Sequence, residues 1–289
     1  MRVLPLAFDS LGTRSMATLV ETTDIKILID PGAALGPSRY GLPPHAIEKQ
    51  RLKEHKYKIR EAAKEADILV ITHYHFDHYL RDSPEIFNDK ILLMKDPRSW
   101  INESQRNRSR ELLSRIEGKP SKIDVADGKE FCFGKTRIKF SHPFPHGKEG
   151  TKLGYVLMCL VESEGERTLF SSDIGGPIYP PAAKWIIDER PELIIIDGPA
   201  TLFIGWREPI ETLSKVNELL LKILHQVRPW KIIIDHHVVR DLEWTEKIKP
   251  VIEAAKMEGV SLETAAEFLG LKPDFLEARR RELYSFQDY

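Results

Sequence analysis

Apolar residues along this chain fall into two spacings, which divide it into strands and helices. Short β-branched runs read as strands: Met1 to Phe8, Ala17 to Glu21, Asp24 to Ile29, Ile68 to Ile71, Lys90 to Lys95, Glu192 to Asp197 and Lys231 to Ile234. Lys129 to Phe133 and Thr136 to Phe140 read as a hairpin through Gly134, followed by strands over Gly154 to Glu162 and Arg167 to Ser171. Longer amphipathic stretches predict helices over His45 to Ala66, Trp100 to Ile116 and Glu211 to Gln226. The last of these carries a stripe at Leu213, Val216, Leu219, Leu220, Ile223 and Leu224. Val238 to Tyr289 reads as helical. Strands follow strands early and alternate with helices late, which is an α/β pattern.

Two strand ends stand out. Ile68 to Ile71 runs directly into Thr72-His73-Tyr74-His75-Phe76-Asp77-His78, three histidines and an aspartate within six residues. The run to Ile29 ends in Asp30-Pro31-Gly32, where Pro and Gly stop the strand and leave Asp30 at its tip. In extended backbone His73 and His75 point to the same side and can grip one ion. A turn after them swings Asp77 and His78 toward a second. Imidazole and carboxylate without thiolate suit zinc, with manganese or iron as alternatives.

Composition narrows the class. The chain has 289 residues, 42% hydrophobic and 30% charged, with a net charge of −1. That describes a globular protein with no bulk attraction for nucleic acid or membrane. No composition break or low-complexity linker divides it, so residues 1–289 are expected to form one domain. Cys132 and Cys159 are too few for a disulfide scaffold and both sit in strand-like contexts, where buried thiols are expected. Met1 to Leu11 lacks the apolar core of a signal peptide and no apolar run reaches membrane-spanning length, so a cytoplasmic location is expected. Oligomeric state is not legible. Only four Asn and four Gln accompany the high charge, a composition of thermophilic type.

Thr72 to His78 resembles the HxHxDH signature of the metallo-β-lactamase superfamily, and the match is complete. The flavodiiron branch of that superfamily carries Glu where His75 stands, so His75 favours hydrolysis over redox chemistry. The chain as a whole resembles a branch of archaeal type. The resemblance covers Met1 to Asp241 and implies an αββα four-layer sandwich, leaving residues 242–289 as a C-terminal helical cap. It also implies the remaining ligands. His146, in Pro145-His146-Gly147, matches the third, with His142 as competitor. Asp173, in Phe170-Ser171-Ser172-Asp173-Ile174-Gly175, matches the carboxylate that bridges two ions. His236 at the end of Lys231 to Ile234 matches the last, with His237 as competitor. Asp30 matches a residue that orients a ligand.

The implied chemistry is a hydroxide held between two divalent ions, zinc first, since a zinc-bound water has a pKa near ~7. His73, His75 and His146 would hold one ion and Asp77, His78 and His236 the other. Asp77 would also orient the nucleophile, and His237 or Tyr40 would assist the leaving group. Three readings of function remain. The first is hydrolysis of a phosphodiester or phosphorylated compound, supported by Arg106, Arg108, Arg110 and Arg115 on one predicted helix, although a solvated basic face is the plainer reading of that helix. The second is hydrolysis of a small ester, thioester or lactone, which the ILIDPG opening favours. The third is nucleic-acid binding: Val260 to Leu271, capped by Ser261, resembles the start of a helix-turn-helix, followed by Arg279, Arg280 and Arg281 on the next helix. Packing of this C-terminal segment against the sheet is the preferred alternative. His45 and His55 are expected on a solvated helix face, and Asp197 at a pocket wall or behind a metal ligand.

Overall fold

The computed structural model describes residues 1–285. The first half of the chain builds a sheet from β1 (Arg2–Phe8), β2 (Met16–Glu21), β3 (Lys26–Ile29), β4 (Ile68–Ile71), β5 (Ile91–Met94) and β6 (Lys122–Val125), paired in chain order. β1 to β3 are an antiparallel meander, and β3 to β6 run parallel. The second half repeats this plan. β7 (Glu130–Phe133), β8 (Thr136–Phe140), β11 (Cys159–Ser163) and β12 (Glu166–Phe170) are antiparallel, and β12 is followed in parallel by β13 (Leu193–Ile196), β14 (Lys231–Ile234) and β15 (Ser261–Glu263). A two-stranded pair, β9 (Phe144–Pro145) and β10 (Tyr155–Val156), stands apart.

The two sheets pack face to face, and each carries helices on its outer face. Along β4, Ile68 and Val70 join Phe140, Phe170, Ile195 and Ile233 of the other sheet in the central core. Leu69 and Ile71 point the other way, onto Ile59 of α1 (Ala46–Glu65) and Leu112 of α2 (Glu103–Arg115). Strand alternation thus places every residue of β4 in one core or the other, which is why it reads as an unbroken apolar run. Each such buried aliphatic side chain is worth ~1.5–3 kcal/mol. β13 behaves likewise: Ile195 faces inward, while Ile194 and Ile196 face α3 (Pro180–Glu189), α4 (Ile210–Val227) and α6 (Lys249–Met257). The αββα architecture expected from the sequence is therefore present.

The structure corrects several expectations. Ser261 caps no helix. It starts β15, which pairs in parallel with β14, and the cap is Thr264, whose side chain and Glu267 form a capping box for α7 (Ala265–Phe268). The C-terminal segment is thus not wholly helical. A final helix, α8 (Arg280–Ser285), follows two short ones, α5 (Trp244–Lys247) and α7. Arg280 is not a DNA-reading side chain: it is fully buried and forms two hydrogen bonds, at 2.7 and 2.8 Å, to the equally buried Glu48 of α1. The helix-turn-helix reading fails on both counts. His45 and His55 are not solvated either. His45 is the buried N-cap of α1, and His55 is buried with its Nδ1 2.6 Å from Thr13 Oγ1. Cys132, expected to be buried, is exposed on the edge strand β7, while Cys159 is buried. Among the described residues no helix is long and apolar enough to cross a membrane.

Candidate metal centre

The site lies where the C-terminal ends of the central strands converge, the usual crevice of an α/β sheet. Three strand ends leave their strands through a non-glycine residue in the left-handed region: Asp30 (φ 48°), Ser172 (φ 56°) and His236 (φ 67°). Such conformations cost of order ~1–3 kcal/mol each and persist where surrounding contacts over-determine them. Their effect here is to turn each chain sharply so that consecutive side chains enter one space. Gly32 allows the closest approach, since a Cβ there would lie 2.1 Å from the Tyr79 backbone nitrogen and within 2.7 Å of His78 backbone atoms.

Asp173 stands at the centre and is almost wholly buried. Its Oδ2 lies 3.0 Å from His146 Nε2, 3.6 Å from His73 Nε2 and 3.6 Å from His237 Nε2. Its Oδ1 lies 3.2 Å from His78 Nε2 and 3.5 Å from His236 Nε2. Each carboxylate oxygen therefore faces a different group of imidazoles. His73 Nε2 and His75 Nδ1 are 3.1 Å apart, and Asp77 Oδ2 is 3.7 Å from His236 Nε2. Two donor sets emerge, His73–His75–His146–Asp173 and Asp77–His78–His236, with the ligand atoms of each set within 4.8 Å of one another.

These residues fit divalent cations. His78 Nε2, His146 Nε2 and Asp173 Oδ1 are buried and make no hydrogen bond to protein, an arrangement that is costly unless something else satisfies them. His78 Nε2 and Asp173 Oδ1 approach one another, yet without hydrogen-bond alignment. Burial, and then the neighbouring His146, depress the pKa of His75 to about 3, so its imidazole is neutral and presents a lone pair. Burial opposes ionisation of Asp77, but His78 and His236 outweigh it and hold the carboxyl well below its usual range.

The far sides of the His73, His78 and His237 rings are fixed by an acid or a hydroxyl. His78 Nδ1 is 2.7 Å from Asp30 Oδ2, and Asp30 also accepts from the Thr72 backbone N–H and hydroxyl. His73 Nδ1 lies 3.2 Å from both the Thr72 and Ser172 hydroxyls. His237 Nδ1 is 2.8 Å from Asp197 Oδ2, whose two oxygens also accept the N–H groups of Gly175 and Gly176. This is the oriented carboxylate–imidazole arrangement that tunes metal ligands.

The sequence alternatives are resolved by position. His146 is in the cluster, whereas His142 is exposed and lies against Gly128. Both His236 and His237 reach Asp173, although alternation along a strand predicts only one. The strand ends at Ile234 and the left-handed turn at His236 redirects both rings. His237 pairs through Nδ1 with Asp197 and turns Nε2 toward the cluster, 3.6 Å from Asp173 Oδ2. Tyr40 lines the cleft, but its hydroxyl donates to the Ala278 carbonyl at 3.0 Å, which removes the expected leaving-group role. Of the four arginines on α2, Arg108 faces the cleft, while Arg106 and Arg110 line a separate groove.

Two residues went unread in the sequence. Asp9 Oδ2 lies 2.7 Å from His236 Nδ1, and Asp9 Oδ1 accepts from Arg240 Nε at 2.7 Å. Asp9 follows β1 as Asp30 follows β3, so the strand-end signal was there. Arg240 carries no such signal.

Comparison with known proteins agrees with this architecture. Residues 12–215 match the model of the metallo-beta-lactamase superfamily. The UPF0282 protein of Metallosphaera sedula is 44% identical over 289 residues, covering 99% of this chain and 93% of that one. The UPF0282 protein of Methanocaldococcus jannaschii is 44% identical over 299 residues, covering 100% of this chain and 98% of that one. Among solved structures, an isothiocyanate hydrolase from Delia radicum gut bacteria shares the fold with a TM-score of 0.53 at 16% identity, over 87% of this chain and 93% of its own. CmlA, a diiron beta-hydroxylase from Streptomyces venezuelae, also has a TM-score of 0.53, at 12% identity over 88% of this chain and 51% of its own. With its strand-end histidines and aspartates gathered around one carboxylate, the chain belongs to the metallo-β-lactamase superfamily and is by class a metal-dependent hydrolase.

Proposed function

We propose that this protein hydrolyses a phosphodiester or another phosphorylated compound, using two divalent cations, zinc first, held by the two donor sets. When bound, the cations lower the pKa of water and offset the charge that builds on the substrate. Asp77 faces the cleft and stays ionised, which suits it to hold the attacking water by the oxygen turned away from His236. His237 Nε2 faces the same space, which suits the ring to assist the leaving group.

The observation that carries the substrate class is the charge of the cleft. It has a volume of about 990 Å³ and is lined by Arg39, Arg108 and Arg207, none with a carboxylate partner among the described residues. Arg39 Nε is buried without a hydrogen bond. Arg108 lies over the Phe76 ring at 4.6 Å and Arg207 over the Trp206 ring at 4.3 Å. Guanidinium groups held over rings and left without counter-ions suit an anionic oxygen group such as phosphate, two of whose oxygens match the planar fork of a guanidinium. One wall, Ile178, Leu202, Phe203, Ile204 and Val216, is apolar, and it favours the second reading, a small ester, thioester or lactone. The test is turnover of bis(p-nitrophenyl) phosphate and of a p-nitrophenyl ester by metal-loaded protein, with His73→Ala as control. Phosphodiester turnover lost in the variant supports the proposal. Ester turnover alone overturns it.

A further inference from the structure

A second basic surface lies across α2 from the cleft. Gln105, Ser109 and Leu112 form the buried face of this helix. Arg108 leans to one side of that face, into the cleft, while Arg106 and Arg110, one turn apart, lean to the other. There they meet Arg98 over a groove of about 600 Å³ floored by Met94, Leu113 and Val125. Arg98 and Arg110 are exposed, and neither has a carboxylate partner among the described residues; Arg106 is paired with Glu103 at 3.2 Å. The loop that carries Arg98 is pinned from below. The buried Lys95 ammonium donates to the Ser99 carbonyl at 2.7 Å and pairs with Asp127 at 2.6 Å. Asp127 accepts from the Asp96 N–H at 2.6 Å, and Asp96 from the Arg98 N–H at 2.8 Å. Trp100 leaves the loop in the left-handed region (φ 50°), a costly conformation for a bulky residue, and its ring stays in solvent, 62% exposed, touching Tyr155 at 5.1 Å. Met94 and Val125 end β5 and β6, which run parallel to β4, so the groove opens at the same end of the sheet as the metal centre.

We propose that this groove binds single-stranded nucleic acid, with Arg98 and Arg110 on its phosphates and Trp100 stacking one of its bases. Guanidinium forks without counter-ions match phosphate oxygens. An exposed indole two residues from Arg98 offers a stacking surface that takes any base. A single strand presents such unstacked bases; a duplex keeps its bases stacked on one another, and an acidic peptide has none. The nearby carboxylates of Glu103, Asp124 and Asp127 do not repel the strand freely, because Arg106, Lys122 and Lys95 neutralise them. The site needs neither metal nor turnover, so it stands apart from the hydrolase reading.

Fluorescence anisotropy of a labelled single strand with cleavage-resistant phosphorothioate links, titrated with the full chain, tests this. Binding should weaken steeply with salt. Arg98→Gln/Arg110→Gln should weaken it about tenfold or more and make the dependence of log affinity on log salt shallower by about 1 to 2. Trp100→Ala should weaken it about fivefold or more and leave the salt dependence in place, since stacking releases no counter-ions. All three changes are at exposed positions, so melting temperatures should stay near wild type. Wild-type affinity in both variants would place the strand elsewhere and overturn the proposal. A duplex of the same sequence that binds as tightly, or poly-glutamate that displaces the strand as readily as unlabelled strand does, would show a surface selecting charge alone and overturn it too. No binding by wild type would overturn it while leaving the hydrolase reading to be judged on bis(p-nitrophenyl) phosphate turnover. The expected binding by a protein inert toward that compound would support the groove and remove the phosphodiesterase reading alone.

Discussion

The Nδ1 of His78 and the Oδ2 of Asp30 lie 2.7 Å apart, both fully buried, although the residues are separated by 48 positions in the chain. The strand-end aspartate thus holds the His78 ring with its other nitrogen turned toward Asp173. Replacing it by Asn removes the charge that fixes the ring. Asp30→Asn should cost about 10–100-fold in metal affinity or activity. Asp30→Ala should in addition leave the buried Thr72 N–H unsatisfied, at about 1–3 kcal/mol of stability. Zinc titration and thermal unfolding of the apoproteins separate the two effects.

His146 and His142 are four residues apart, yet they should respond differently to substitution. His146→Ala should abolish turnover and release about one equivalent of tightly bound metal, since a ligand of the four-donor set is lost. His142→Ala should leave metal content and turnover near wild type, because His142 is exposed outside the cluster. Chelation of wild type should reproduce the inactivity of His146→Ala and lower its melting temperature. Metal analysis of the dialysed proteins decides between the two histidines.

Arg108 should report the charge of the substrate. Arg108→Met keeps much of the contact with Phe76 but removes the cation. For a phosphodiester, kcat/KM should fall by about tenfold or more, while a neutral ester should change by less than about threefold. Equal losses on both substrates would count against an anion-binding role.

Stability should fall in acid through His55. Burial, helped by Lys58 and Arg51, depresses its pKa from 6.5 to about 3. Between those values the unfolded chain binds a proton at this site and the folded protein does not. The contribution of His55 is therefore fully present above pH 6.5 and is lost as pH falls toward 3, at up to roughly 1.4 kcal/mol per pH unit. His55→Gln should flatten that part of the stability profile in denaturant titrations, at the cost of a lower plateau at neutral pH.

Arg280 and Glu48 tie the C-terminal segment to α1. Arg280→Met alone should cost about 3–5 kcal/mol, since it leaves a buried carboxylate without its partner. Arg280→Met with Glu48→Leu should be milder. A single change that leaves the midpoint of urea unfolding in place would show that the pair contributes little.

The order of apolar runs sufficed to give the α/β class, the crowding of His73, His75, Asp77 and His78 behind one of them gave half of the site, and the family resemblance those residues carry implied the sandwich. The first two are local: a strand buried on two faces must be apolar throughout, and a strand end must be polar where it meets a crevice. Local pattern also misleads. Val260 to Leu271 looks like a helix entry, but β14 offers an open edge and Ser261 to Glu263 takes it as a strand. His45 and His55 look solvated in a charged helix, until Tyr284 and Thr13 cover them from distant parts of the chain. Tertiary contact alone decided that both His236 and His237 turn toward Asp173, that His142 does not, and that Asp9 and Arg240 belong to the site. Hydrophobic periodicity records which way a residue faces within its own element. Which donors meet around a shared centre depends on strand-end turns and on side chains brought from more than two hundred residues away, as Asp9 is to His236, and no local spacing encodes that.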